Sequence, residues 1–106
     1  MVLRVTTSSA DAIDVTVSGT TFTATAATAF AQDAAITTAT TTTVCAAPGS
    51  GEQRIIKSVV FENKGAGNNT LTVERFNGTT ASRVYTETLS PGQALQFNDG
   101  DGWEFT

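Results

Sequence analysis

The stretch Thr70-Leu71-Thr72-Val73-Glu74-Arg75-Phe76-Asn77-Gly78 decides how the chain folds. Leu71 and Val73 alternate with Thr70, Thr72 and Glu74, the period of two that puts apolar side chains on one face of a strand and polar ones on the other. Asn77-Gly78 then supplies two residues that tolerate the positive φ of a tight hairpin turn, and Arg83 to Leu89 reads as the returning strand. Downstream, Ser90-Pro91-Gly92 fits a type II turn, with Pro fixing φ and Gly supplying φ > 0. Ala94 to Asn98 follows with Leu95 and Phe97 facing in, then a turn over Asp99-Gly100-Asp101-Gly102 and a closing strand, Trp103-Glu104-Phe105. Upstream, Arg54 to Asn63 carries Ile55, Ile56, Val59, Val60 and Phe61. Apolar residues on both faces predict a central strand covered on both sides.

The first half is patterned differently. Leu3 to Thr7 reads as a short strand and Ser8 to Asp11 as a turn. Ile13, Val15 and Val17 share one face of a strand over Ala12 to Ser18, with a hairpin turn expected at Gly19 to Thr21 and a return strand over Thr21 to Thr25. Residues 26–35 are rich in Ala, the best helix former, and read as loop or one to two helical turns. Ile36 to Ala47 is a long β run so rich in Thr that it specifies register poorly on its own. The fold expected is all-β: an antiparallel sandwich or jelly-roll-like barrel of about eight strands, with at most a short helix near residues 26–35. The division expected within one domain is a Thr-rich N-terminal hairpin or arm over 1–45, packed on or swapped with neighbouring subunits, and a compact sandwich module over 46–106. Deleting residues 1–25 would then leave the module folded.

Composition narrows the function. Threonine fills 21 of the 106 positions, which suits exposed sheet faces or a polar subunit interface. A mucin-like tract is disfavoured because the Thr runs lack Pro clusters. The net charge of −4 argues against nucleic acid and anionic membrane as main partners, since both select a basic footprint. Met1-Val2-Leu3-Arg4-Val5 is too short for a signal-peptide core, so synthesis in the cytoplasm is expected. Cys45 is the only cysteine, excluding an intrachain disulfide, and its apolar flank predicts a small buried hydrophobe.

The chain has no histidine. Ser-His and Cys-His nucleophile pairs are therefore excluded, as are zinc sites built on Cys and His. Two of Glu62, Glu74, Glu87 and Glu104 could converge as a glycosidase pair, but strand carboxylates paired with Arg54, Lys57, Arg75 or Arg83 are the plainer reading. Asn98-Asp99-Gly100-Asp101-Gly102 offers carboxylates at alternate positions, yet Trp103 stands where a third calcium ligand belongs, and Asp-Gly is ordinary turn chemistry. Asn68-Asn69-Thr70 and Asn77-Gly78-Thr79 match the N-glycosylation pattern, one short enough to arise by chance. Pro48-Gly49-Ser50-Gly51 lacks the Lys and following helix of a phosphate loop. No catalytic, cofactor or metal residue is assigned, and no enzyme activity is expected.

The order of these turns carries a resemblance. Ala46-Ala47-Pro48-Gly49-Ser50-Gly51-Glu52-Gln53-Arg54-Ile55-Ile56-Lys57, then Asn63-Lys64-Gly65, Asn69-Thr70-Leu71-Thr72-Val73, Leu89-Ser90-Pro91-Gly92-Gln93-Ala94-Leu95 and Asp99-Gly100-Asp101-Gly102-Trp103 resemble a small β-sandwich module of tailed-bacteriophage virion proteins. The resemblance covers about 60 residues and leaves Met1 to Val44 outside it. It implies a virion surface or attachment module and transfers no catalytic residue. The expectation is a capsid decoration (cement) protein on the outer head surface, most simply a homotrimer, that binds the major capsid protein and stabilises capsomer junctions. The alternatives are a tail, baseplate or head-fibre component and a carbohydrate-binding module. The last would need exposed aromatics, for which Tyr85 and Trp103 are the candidates.

Overall fold

The computed structural model describes residues 2–98 and 102–105. The elements are β1 (Val2–Thr7), β2 (Ile13–Phe22), β3 (Ala27–Ile36), β4 (Thr41–Cys45), β5 (Gln53–Asn63), β6 (Asn69–Phe76), β7 (Ala81–Leu89), β8 (Ala94–Asn98) and β9 (Gly102–Phe105). No helix occurs among the described residues. Two antiparallel sheets form, A in the order β4-β1-β6-β7 and B in the order β3-β2-β5-β8-β9. Their inner faces meet in one core. Leu3, Val5, Val44, Leu71, Val73 and Leu89 come from sheet A, and Ile13, Val15, Val17, Ile36, Val59, Phe61 and Leu95 from sheet B. The alternation read from Leu71-Val73 and from Ile13-Val15-Val17 is the alternation that packs this β-sandwich. Fully burying a side chain such as Phe61 contributes about 2–3 kcal/mol.

Three local expectations change. The hairpin turn expected at Gly19 to Thr21 lies at residues 23–26, and β2 runs straight through Gly19. The turn closes because Thr23 N–H donates to the Ala26 carbonyl at 2.8 Å, while Thr23 Oγ1 accepts from Ala26 N–H at 3.1 Å. Residues 26–35, expected as loop or helix, lie almost wholly in the ten-residue strand β3, paired without interruption from Phe22↔Ala27 to Ile13↔Ile36. Here pairing with β2 overrides the helix propensity of alanine. Phe30, Ala34 and Ile36 pack on the core, and Ala27, Ala29, Ala31 and Ala35 are exposed. The Thr-rich run is interrupted at 37–40, where Thr7 Oγ1 donates to the Thr38 carbonyl at 2.8 Å, and it resumes as β4, whose register β1 fixes.

β5 is central, between β2 and β8, but its outer face is open rather than covered. Ser18 pairs with Ser58 and Gly19 with Ile56, so Lys57 is an extra residue in β5. This bulge turns Ile56 as well as Val59 toward the core and leaves Ile55 outside, 45% exposed. The strand thus packs Ile56, Val59 and Phe61 against the core on one face and carries Ile55 and half-buried Val60 on the other, which no second sheet covers. The first 45 residues are equally woven in. β1 lies between β4 and β6, and β2 between β3 and β5. Residues 2–45 and 46–98 share one core. Removing residues 1–25 would take out two interior strands, so the 46–106 segment is not independently packed in this chain.

One end of the sandwich is tied by buried amides. Asn69 Oδ1 accepts from Ser8 and Ser9 N–H at 3.0 and 3.3 Å, and its Nδ2 donates to the Ser9 and Asp11 carbonyls at 3.1 and 2.9 Å. Asn63 Nδ2 donates to the Gly67 and Leu89 carbonyls, and its Oδ1 accepts from Gly65 N–H, all at 2.9 Å. Asp11 Oδ1 accepts from Gly67 N–H at 2.9 Å. The Pro91-Gly92 turn joins the same cluster through Gly92 N–H to the Asn63 carbonyl, with Gly92 at φ 83° as a type II turn requires. Asn63-Lys64-Gly65, Asn69 and Pro91-Gly92-Gln93 carry much of the resemblance in the sequence, and here they join loops of both sheets.

Candidate binding surface

The opposite end is apolar and open. β2, β3 and β5, the longest described strands, pair here as a three-stranded ribbon. Within it, Gly19 lets the ring of Phe30 come down onto the strand: a methyl group there would lie 3.0 Å from Phe30 Cε1 and collide with the Ile55 carbonyl. Arg54 lies on the same side. Its guanidinium sits 5.1 Å from the Phe30 ring centroid, its Nη1 donates to the Ala46 carbonyl at 2.9 Å, and its Nε donates to Thr21 Oγ1 at 3.3 Å. Arg54 thereby ties the ribbon to the loop at 46–52. Between the sheets at this end a cleft of about 760 Å³ opens, lined by Leu3, Cys45, Pro48, Ile55, Ile56, Val59, Val84 and Phe97, with Arg54, Arg75 and Glu52 as charged neighbours. Among the described residues the exposed large hydrophobics are Phe22, Ile55 and Val84. Ile55 and Val84 line this cleft, and Phe22 pairs with Gln53 beside it.

Cys45, the last residue of β4, lines the cleft as a buried thiol, as its apolar flank predicts. Burial pushes its pKa up, and the charge and hydrogen bond of Arg54 pull it part of the way back. The thiolate needed for nucleophilic chemistry is therefore disfavoured.

The carboxylates named from the sequence do not converge. Glu62 is on the outer face of sheet B, Glu74 on the outer face of sheet A, and Glu87 on the inner side of edge strand β7, where its Oε1 accepts from Thr88 N–H. Glu74 is partnered by Arg4 at 3.5 Å rather than by the cations expected, and the Arg4 guanidinium also stacks 4.0 Å from the Phe76 ring. The side chain of Glu104 and the Asp99-Gly100-Asp101 turn lie outside the described residues. Tyr85 packs against the core, and the side chain of Trp103 is outside the described set. Among the described residues no three His, Cys, Asp or Glu side chains group as metal ligands.

The outer face of sheet A is hydroxylic. Thr41, Thr6, Thr72 and Thr86 stand in one row across all four strands. Thr6 and Thr41 share a hydrogen bond at 2.8 Å, and Thr70 and Thr88 one at 2.9 Å. The apolar end was not singled out in the sequence. Its signal was there in Phe22 and Ile55, but only pairing of β2 with β5 brings them together. Comparison with known protein families, with curated proteins and with solved structures finds no match for this chain.

Proposed function

We propose that this protein is a non-enzymatic structural protein of a phage virion, a capsid decoration protein that binds the outer head surface and stabilises capsomer junctions. The observation that carries the binding part of this reading is the polarity of the molecule: one end is closed by a satisfied amide network, and the other exposes Phe22, Ile55 and Val84 around an apolar cleft. Large apolar side chains exposed around one cleft are what a protein contact uses. The turn order, which resembles that of a virion module, supports the major capsid protein as the partner. Binding to the assembled shell and not to free subunits stabilises the shell by mass action.

Co-sedimentation of the full chain with shells of the phage's major capsid protein tests this, with stoichiometry read by quantitative mass spectrometry. About one copy per capsid subunit is expected. Phe22→Asp with Ile55→Asp should abolish co-sedimentation while the far-UV circular dichroism stays that of the parent. Failure of the parent protein to bind overturns the decoration reading, and binding by the double variant overturns the assignment of the apolar end. A copy number matching the tail or vertices would instead assign a tail, baseplate or head-fibre role.

A further inference from the structure

We propose that β3 is a self-pairing edge, through which two copies of this chain join antiparallel, β3 to β3, and merge their B sheets into one continuous sheet. The proposal does not rest on the capsid reading. A sandwich of two open sheets has four outer strands, here β4 and β7 in sheet A and β3 and β9 in sheet B. Natural edges are blunted by shortness, bulges, proline or charge, because free N–H and C=O groups template pairing with another chain. β4 has five residues and a register shift against β1. β9 has four. β7 is longer, but its ladder shifts between Val73 and Glu74 and it presents an exposed Arg83. β3 has the fewest of these protections. It has ten residues, an unbroken ladder to β2, no glycine, proline or lysine, and a single charge, Asp33. Its exposed outer face is Ala27, Ala29, Ala31, Asp33 and Ala35, and the four alanines are small side chains that leave most of the backbone edge accessible.

The sequence of β3 selects a second copy as the occupant. Antiparallel self-pairing about a two-fold axis near Phe30 or Ala31 sets Asp33 opposite Ala27 or Ala29 of the other copy, and never opposite the other Asp33. The same pairing keeps the core-side residues Phe30, Gln32 and Ala34 on one face of the joined sheet. In these two registers residues 27–33 or 27–35 of each copy overlap, and such a ladder supplies roughly six to ten main-chain hydrogen bonds, within the range that a standard protein interface carries. A self-pairing edge closes at two copies. A trimer would need β3 to meet a different edge of its neighbour.

Sedimentation equilibrium of the full chain should give twice the 11.0 kDa chain mass at micromolar concentration, and hydrogen exchange should show residues 27–36 more protected as concentration rises. Ala31→Lys brings two ammonium groups near the axis in either register, and Ala31→Glu does the same with two carboxylates. Each alone should weaken the dimer at least about tenfold, and mixing the two should restore a heterodimer. Ala31 is exposed, and circular dichroism of each variant checks that its fold is kept. A monomer at high concentration, a trimer, a dimer indifferent to both substitutions, or exchange at 27–36 that ignores concentration would each overturn the proposal.

Discussion

At the scale of single residues, the fold is held most specifically by Asn63 and Asn69, which are fully buried and satisfied on both the oxygen and the nitrogen of the amide. Neither was singled out from the sequence as a core residue, because asparagine in a turn-rich stretch reads as turn chemistry and nothing local reveals that the amide points inward. Burial makes the network costly to break: Asn63→Ala would orphan the Gly67 and Leu89 carbonyls and the Gly65 N–H. A loss of about 2–4 kcal/mol is expected, measured by urea unfolding. Thr86→Ala, on the exposed face of β7, should change stability by less than about 0.5 kcal/mol. Cys45 was legible as a buried hydrophobe from its flanks. Its pairing with Arg54 was not, since nine residues separate them and only the cleft brings them together.

At the scale of elements, alternation was legible where large aliphatic residues marked it. Strands carrying Ile13, Val15 and Val17, Leu71 and Val73, and Leu95 and Phe97 are where the period of two put them. β3 was illegible because alanine is small enough to sit on either face and favours a helix when no neighbour is present. The ladder to β2 decides it, supported by the Phe30 ring over Gly19 and by Ile36 in the core. Gly19 itself read as a turn, whereas its role is to admit that ring. β5 differs from expectation for another reason: the bulge at Lys57 turns Ile56 inward, while Ile55 and Val60 stay on an outer face that no second layer covers. The weaving of β1 and β2 into the sheets carries a prediction. A chain lacking residues 2–25 should lose cooperative thermal unfolding by circular dichroism, because Val5, Ile13, Val15 and Val17 leave the core with it. A sharp melt from that truncation would show the remaining segment to be an independent domain.

At the scale of the whole molecule, the sandwich has two unlike ends and one weakly protected edge, and each follows from how the sheets are assembled. With a net charge of −4 on each copy, self-association through β3 works against long-range repulsion that salt screens over about 8 Å at physiological ionic strength. The dimer should therefore tighten between low and physiological salt, and sedimentation at both will read the change. By itself the sequence determined the fold class, the strand-and-turn order after residue 46, the burial of Cys45 and the exclusion of His-dependent chemistry, because these depend on residue type and on spacing along a few neighbours. Only the tertiary structure decided that residues 27–36 form a strand, that β1 and β2 lie in the interior of the two sheets, and that Phe22, Ile55 and Val84 gather at one end. Those outcomes depend on which strands pair across the chain, and pairing energy comes from partners far away in sequence.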